Sequence, residues 1–393
     1  MSAVRTGLDR IAAQDPEALR WLRGKRLGLL AHAASVDHRL RHIVEILREV
    51  GADLRALFAP EHGFDAVAQD MEGIEGADAP REGLRLYSLY GESEAELSPK
   101  PEWLSDLDGV IVDLQDVGAR YYTFVWTAAL LARAALEAGV EVLILDRPNP
   151  LGGEIVEGMP QRPGYLSFVG LHPVAVRHGM TLAEICRLAL AHWKVDAPGL
   201  HCLKMLGWRR AMSWPECGLP WVFPSPNMPS LSTARVYPGG CLLEGTLLSE
   251  GRGHTRPFEV WGAPYVDGER LQREVPVEGA TLRPLFFRPK FHKFAGEVCG
   301  GVQVHVHSPQ SFRPYATYLR LIAAAKGMGE GRFAWRSEPY EFVHDRPAID
   351  LLTGGPEYRE ALDAGESLDA YLELDARDAA RFAEQRLPFL LYP

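Results

Sequence analysis

The first half of the chain alternates short apolar runs with longer segments that have the periodicity of helices. Four apolar runs have the length and composition of buried strands, at 26–31, 54–59, 110–114 and 140–145. Helical patterns lie at 38–50, at 127–137 and from a capping box at Thr181 to about Trp193. Because neighbouring parallel strands need a crossover connection, this order predicts an α/β fold with a doubly wound parallel sheet.

The second half has a different composition. Proline, glycine and tryptophan are frequent from about 196 to 260, and helix signals are weak there. Apolar and polar residues alternate over 300–307 as in a strand, and helical patterns recur at 315–326 and 357–364. We therefore expect a second, smaller α/β or α+β domain, with the first domain over residues 1–197 and the second over residues 198–393.

Length and charge narrow the functional classes. The 393 residues carry a formal net charge of −10, whereas a dedicated nucleic-acid binder usually has a basic face, so we expect no nucleic-acid partner. No apolar run approaches the ~18 residues of a membrane helix. The first nine residues lack the apolar core of a signal peptide, so we expect a cytoplasmic protein, or a secreted one if a leader was removed. The sequence leaves the oligomeric state open.

Common nucleotide and hydrolase signatures are missing from the sequence. No G-x-G-x-x-G follows the first apolar run, and neither a P-loop, a G-x-S-x-G elbow nor an H-E-x-x-H motif occurs. We therefore expect no cofactor, and a polar small molecule as the substrate.

Polar residues follow the ends of the apolar runs. In an open α/β sheet, ligands bind in the crevice beyond the carboxyl ends of the strands. Glu61 and His62 follow the run 54–59, and a carboxylate beside an imidazole can supply a general acid or base. The alternative is structural, with Glu61 capping a loop and His62 lying on the surface.

The segment after the run 110–114 is rich in polar groups. Asp116 points toward the sheet edge in the expected register, whereas Asp113 points into the fold. Arg120 could bind a carboxylate in a bidentate manner, and Tyr122 could donate to it or stack on a sugar ring. An ion pair between Asp116 and Arg120 that only holds the loop is the alternative.

Two more segments place polar groups after apolar runs. In Asp146-Arg147-Pro148-Asn149-Pro150 the prolines fix the backbone around Asn149, and Asp146 could instead cap backbone amides. Arg177 and His178 follow a short apolar run at 174–176, taken here as another strand, although His178 could simply pack under the helix cap at Thr181.

Two loops of the second half combine rigidity with polar groups. Asn227 again stands between prolines, and the segment 248–259 places Glu250 and Arg252 among glycines. Loops that combine proline, glycine and charge are typical of functional sites.

Seven motifs in this order resemble the exo-β-N-acetylmuramidase family, glycoside hydrolases that were formerly a domain of unknown function. The motifs are FAPEHG at 58–63, LYSLYG at 86–91, DLQDVGARYYT at 113–123, LDRPNPLGG at 145–153, VRHGMT at 176–181, PSPNMP at 224–229 and SEGRG at 249–253.

The resemblance implies a Rossmann-like first domain, a smaller second domain and an active site in the cleft between them. It also implies an exo-acting hydrolase that releases terminal β-linked N-acetylmuramic acid from a muropeptide or amino-sugar disaccharide during cell-wall turnover. Glu61 is then the leading catalytic acid or base, with His62 beside it and Asp116 as a further catalytic residue. The residues expected to bind substrate are Arg120, Tyr122, Asp146, Asn149, Arg177, His178, Asn227, Glu250 and Arg252.

The residue types at the expected site suit cleavage of that substrate, but they do not decide between the possible mechanisms. Glycosidic cleavage needs a carboxylic acid and usually a second carboxylate, and the 2-acetamido group could itself attack the anomeric carbon. The lactyl carboxylate of the sugar could pair with Arg120, Arg177 or Arg252. Two other functions compete: a metal-dependent hydrolase, with Glu61, His62, Asp116 and Asp146 as the ligands, and a non-catalytic sugar-binding protein.

Overall fold

A parallel sheet organises the first half of the computed structural model, which describes residues 4–69 and 83–393. Its strands are β1 (Arg26–Ala31), β2 (Asp53–Ala59), β3 (Arg85–Ser88), β4 (Gly109–Asp113), β5 (Glu141–Leu145) and β6 (Leu200–Leu203). They are arranged in the order β3-β2-β1-β4-β5-β6, and every pairing is parallel. This is the strand order of the Rossmann fold, with the switch of direction between β1 and β4.

Helices cover both faces of this sheet because its strands are apolar on both sides. Leu29 and Ile111 belong to the core cluster on one face, whereas the adjacent Leu30 and Val112 belong to the cluster on the other face. The first cluster also contains residues of α1 to α3, and the second contains residues of α5 and α6. The helices of this half are α1 (Gly7–Ala12), α2 (Pro16–Leu22), α3 (Ile43–Glu49), α4 (Pro101–Leu104), α5 (Phe124–Glu137) and α6 (Leu182–His192).

The second half forms a smaller α/β unit around an antiparallel sheet. Strands β7 (Val260–Ala263), β8 (Ala280–Phe287) and β9 (Cys299–Val306) pair in the order β7-β9-β8. Its helices are α7 (Trp214–Cys217), α8 (Leu231–Gly240), α9 (Gly268–Glu274), α10 (Pro314–Met328), α11 (Ala348–Thr353), α12 (Glu357–Ala364) and α13 (Asp369–Gln385), with short 3-10 turns at Cys241–Gly245 and Leu387–Phe389. A further 3-10 turn, Glu94–Leu97, belongs to the first half.

The predicted fold class is confirmed, and one helix begins later than its apolar pattern suggested. The predicted helix 38–50 starts only at Ile43. Leu40 adopts a left-handed backbone with φ +64°, and the Asp37 carboxylate accepts the backbone N–H groups of Arg39 and Arg41. These contacts hold a loop before His42, whose ring caps the helix by accepting the Val44 N–H.

The run 174–176, expected as a strand, is not one. Arg177 next to it makes only isolated bridges, with Ala119 and Glu157, so this segment pairs with loops and not with the sheet. Strands β3 and β6 were not predicted, and β6 lies beyond residue 197 although it pairs with β5 of the first sheet. No helix in the described part of the chain has the length and apolar character needed to cross a bilayer.

Candidate active site

A cavity of about 470 Å³ lies between the carboxyl edge of the parallel sheet and the second unit. The end of β2 and the start of α5 form one part of its wall. The loop before α8, helix α8 itself and the loops of the second unit form the rest. The cavity is lined by Glu61, His62, Tyr121, Tyr122, Thr123, Phe124, Ser225, Asn227, Met228, Tyr237, Glu244, Arg252, Phe258, Tyr340 and Glu341.

Glu61 is the carboxylate that the sheet edge presents to this cavity. It lies two residues after the end of β2, and only 5% of its surface is exposed. The Thr123 hydroxyl, immediately before α5, donates a hydrogen bond of 2.7 Å to Glu61 Oε2. A hydrogen bond to one carboxylate oxygen fixes the orientation of the group, as a catalytic acid or base requires.

The backbone of His62 holds its imidazole beside Glu61. Its φ of +70° is left-handed, a conformation that non-glycine residues rarely adopt outside constrained loops. The Nδ1 atom lies 3.0 Å from the Ala68 carbonyl oxygen. Because that oxygen can only accept, Nδ1 carries the proton, and Nε2 is the basic nitrogen of the neutral ring.

Aromatic rings form much of the wall around Tyr122. Its ring centroid lies 4.7 Å from that of Phe124 and 5.7 Å from that of Tyr237, the latter at an interplanar angle of 88°. Burial raises the pKa of the Tyr122 hydroxyl well above its usual value, so the hydroxyl stays protonated and can donate. Among the residues that the structure describes, the buried Tyr122 hydroxyl has no hydrogen-bond partner.

Asp116 and His178, both predicted site residues, face one another but do not line the cavity. Asp116 Oδ2 accepts the Gly118 N–H at 2.7 Å and lies 3.6 Å from His178 Nε2. Burial raises the pKa of Asp116 to about 7 and lowers that of His178 to about 3. His178 Nδ1 accepts the Met180 N–H, so the proton of the neutral ring is on Nε2 and faces the carboxyl group.

Arg252 reaches the cavity from the second unit as part of an ion network. Its Nη2 donates to Glu244 Oε1 at 2.5 Å, and its Nε lies 3.2 Å from Glu250 Oε1. Burial alone would raise the pKa of Glu250, but Lys293, His292 and Arg252 together hold it well below its usual range. Glu250 is therefore ionised beside Arg252 and holds the guanidinium in position, while Arg252 itself lies on the cavity wall.

Asn227 connects two loops at the cavity. Its Nδ2 donates to the Gln69 side chain at 2.8 Å, which joins the proline-flanked loop before α8 to the loop after β2.

Arg120 and Asp146 lie inside the protein, apart from the cavity wall. The Arg120 guanidinium donates to the carbonyl oxygens of Met159, Val174 and Leu352 at 2.6–2.9 Å, which ties the first unit to α11. Asp146 accepts from the hydroxyls of Thr181 and Tyr392 and from the Ala183 N–H, so it caps α6. Burial raises the pKa of Asp146 to about 7.

Asn149 and Arg177 are also engaged elsewhere. Asn149 donates to the Met180 carbonyl oxygen at 2.9 Å and accepts the Leu151 N–H at 2.9 Å. Arg177 donates to the Leu151 carbonyl oxygen at 2.8 Å and lines a different cavity. Of the predicted residues, the structure therefore brings together Glu61, His62, Tyr122, Asn227 and Arg252 around one cavity.

Sequence reasoning missed several polar residues of this wall. Besides Thr123, they include Glu244, Tyr340 and Glu341 of the second unit. The Tyr340 hydroxyl donates to Glu244 Oε2 at 2.6 Å. Glu341 has a left-handed φ of +46° in a tight turn that contains no glycine, so the sequence carries no turn signal at this position.

The four residues considered as metal ligands do not converge. Within residues 4–69 and 83–393, the group of possible ligands within reach of a single ion is Asp9, Asp37 and His38. Both of those aspartates already accept backbone N–H groups in the loops that contain them.

The fold and cavity define a two-unit α/β protein with a carboxylate and an imidazole in a polar cleft, which is the arrangement of an enzyme for a polar small molecule. The family models "Exo-beta-N-acetylmuramidase NamZ, N-terminal" and "C-terminal" match residues 27–232 and 235–392. The chain belongs to this family, which confirms the resemblance inferred from the seven motifs.

Known proteins resemble the chain over its whole length. The peptidoglycan beta-N-acetylmuramidase NamZ of Bacillus subtilis (strain 168) is 37% identical over 99% of this chain and 91% of that protein. Crystal structures of two DUF1343 family proteins from Bacteroides fragilis NCTC 9343 match with TM-scores of 0.84 and 0.74, at 29% and 28% identity. Each alignment covers 100% of this chain and 99% of the other.

Proposed function

We propose that this protein is an exo-acting glycoside hydrolase that releases terminal β-linked N-acetylmuramic acid from peptidoglycan fragments. The observation that carries this proposal is the buried Glu61, oriented by Thr123 on the wall of a cavity to which both family domains contribute. Support also comes from the full-length similarity to a relative named for this activity. A muropeptide or an amino-sugar disaccharide would be the substrate.

In this proposal Glu61 protonates the glycosidic oxygen as the bond to the aglycone breaks, and a water molecule supplies the new hydroxyl at the anomeric carbon, either directly or after an intermediate formed there by a carboxylate or by the sugar's own 2-acetamido group. The ring of His62 is held in position by the Ala68 carbonyl oxygen. We assign His62 the role of a second acid or base beside Glu61, with Nε2 as the nitrogen that exchanges the proton. Asp116 does not line the cavity, so we assign it a positioning role in which it holds the turn at Gly118 that leads to Tyr122.

Substrate recognition is assigned to polar groups of the second unit and of the loop before α8. Of the three arginines considered for the lactyl carboxylate, Arg252 is the one on the cavity wall, and we assign that contact to it. Asn227 and Tyr122 would supply hydrogen bonds to the sugar, and the aromatic wall around Tyr122 offers a surface for stacking on the ring.

The test uses chromogenic para-nitrophenyl β-glycosides of N-acetylmuramic acid and of N-acetylglucosamine. We expect nitrophenol release from the muramic substrate only, and a loss of about 10²- to 10⁴-fold in kcat for Glu61→Gln. Glu366→Gln, an exposed glutamate outside the cavity, is the matched control and should retain full activity. Equal turnover by Glu61→Gln and the wild type would refute the assignment of Glu61, and release of neither sugar would refute the proposed function.

A further inference from the structure

A second cavity, of about 580 Å³, shares no lining residue with the candidate active site. One side of it comes from the segment after β5 and from residues 210–213. The other side comes from α8 and from residues 306–314, so the cavity lies at the seam between the two family domains.

Three arginines line this cavity, namely Arg177, Arg210 and Arg235. We call it the arginine cavity. Arg210 is paired with the buried Glu184. Arg235, half-buried on α8, makes no hydrogen bond or ion pair with any residue that the structure describes. One guanidinium on the wall is therefore available to a ligand.

Arg177 adds a second cation that is only partly balanced. It is 5% exposed, and its Nε has no hydrogen-bond partner among residues 4–69 and 83–393. Its nearest carboxylate, that of Glu157, is 4.0 Å away, and burial raises the pKa of Glu157 to about 7, so this counter-charge is incomplete near neutral pH. The positive charge of Arg313 also lowers the pKa of Arg177, so a further cation acts on this part of the wall.

The rest of the described wall is poor in acids and rich in apolar groups. Glu154 is its one acidic residue, and its side chain is exposed. Apart from Ser213 and Gln310, the remaining lining residues are apolar, among them Leu151, Ile155, Met212 and Phe312. A bare inorganic anion would use the arginines and leave this apolar surface uncovered.

We propose that the arginine cavity binds a small organic carboxylate with an apolar body. Arg235 would bind the carboxylate in a bidentate manner, Arg177 would supply further positive charge, and the aliphatic and aromatic side chains would cover the rest of the ligand. This site is independent of the proposed hydrolase reaction, because none of its residues lines the candidate active site.

The test is isothermal titration calorimetry of the full-length protein with N-acetyl-leucine, its neutral amide and inorganic phosphate as separate probes. We expect saturable binding of N-acetyl-leucine, with the amide and phosphate each at least about tenfold weaker. Arg235→Gln should lower the affinity for N-acetyl-leucine by about tenfold or more, because it removes the charge-assisted hydrogen bonds to the carboxylate. Arg320→Gln, an exposed arginine on α10 away from this wall, should bind like the wild type.

The proposal would be overturned if N-acetyl-leucine gave no saturable heat, or if Arg235→Gln bound N-acetyl-leucine as tightly as the wild type does. It would also be overturned if the wild type bound the neutral amide as tightly as N-acetyl-leucine. If phosphate bound as tightly as N-acetyl-leucine, the claim that the ligand needs an apolar body would be overturned. Hydrolysis of the muramic glycoside by Arg235→Gln, measured without additive, is expected at the wild-type rate. A failure of the carboxylate site can therefore be told apart from a failure of the proposed hydrolase function.

Discussion

Thr123 is predicted to contribute to catalysis through a single hydrogen bond. Its hydroxyl donates to Glu61 Oε2 at 2.7 Å, and both residues are almost completely buried. Thr123→Val removes this donor and keeps the branched shape of the side chain. The bonds that the Thr123 carbonyl oxygen accepts from Trp126 and Thr127 come from the backbone and should survive the substitution.

The expected loss follows from the energy of that bond. A hydrogen bond to a charged group contributes about 1.5–3 kcal/mol, which corresponds to about 10- to 150-fold in rate if the whole interaction acts in the transition state. We therefore expect kcat/KM of Thr123→Val on the muramic glycoside to fall within that range. Thr123→Ser retains the hydroxyl and should stay within about threefold of the wild type.

The assay is steady-state release of nitrophenol, together with urea unfolding of each variant to confirm that the fold is intact. Wild-type kcat/KM in Thr123→Val would refute the argument that this bond orients Glu61. An equal loss in the serine and valine variants would also contradict it, because the effect would then come from packing at the start of α5 and not from the hydrogen bond.

Three further predictions concern stability. Tyr392→Phe removes the bond to Asp146 and leaves the Met205 N–H without its acceptor, so the free energy of unfolding in urea should fall by about 2 kcal/mol. Burial raises the pKa of Asp375 to about 7, so the folded chain holds this proton more tightly than the unfolded chain, and the stability that it contributes is lost as the pH rises through 7. Asp375→Asn should therefore gain stability relative to the wild type between pH 5 and pH 8, by on the order of 2 kcal/mol in urea melts at each pH, and a constant difference would contradict this. Gly118→Ala should lose about 2 kcal/mol in the same assay, because φ is +81° there and the new Cβ would collide with the Asn149 side chain; an unchanged urea midpoint would contradict this.

The sequence predicted the parallel sheet because its central strands are mostly apolar and are separated by helices. It could not predict β3 and β6, which are short strands of four residues at the two edges of the sheet. Edge strands bury less surface than central ones, so their composition carries a weaker apolar signal.

Polar residues after a strand were predicted well as a group and poorly one by one. Glu61 and Asp146 both follow buried strands, yet Glu61 lines the cavity and Asp146 caps a helix. The difference for Asp146 comes partly from the Tyr392 hydroxyl, which is 246 positions away in the sequence. A local pattern contains no information about such a partner, so it cannot tell an inward carboxylate from one on a cavity wall.

Helix α8 explains how two cavities can lie close together and remain separate. Arg235 and Tyr237 are two positions apart on it, about 200° around the helix axis, and each lines a different cavity. The helix is held at both ends: Ser230 caps its start, and Gly239 is in such close contact with Pro314 of α10 that a Cβ would not fit there. Because α8 is fixed in this way, it forms a rigid wall for both cavities, and rigid walls keep polar groups oriented before a ligand arrives.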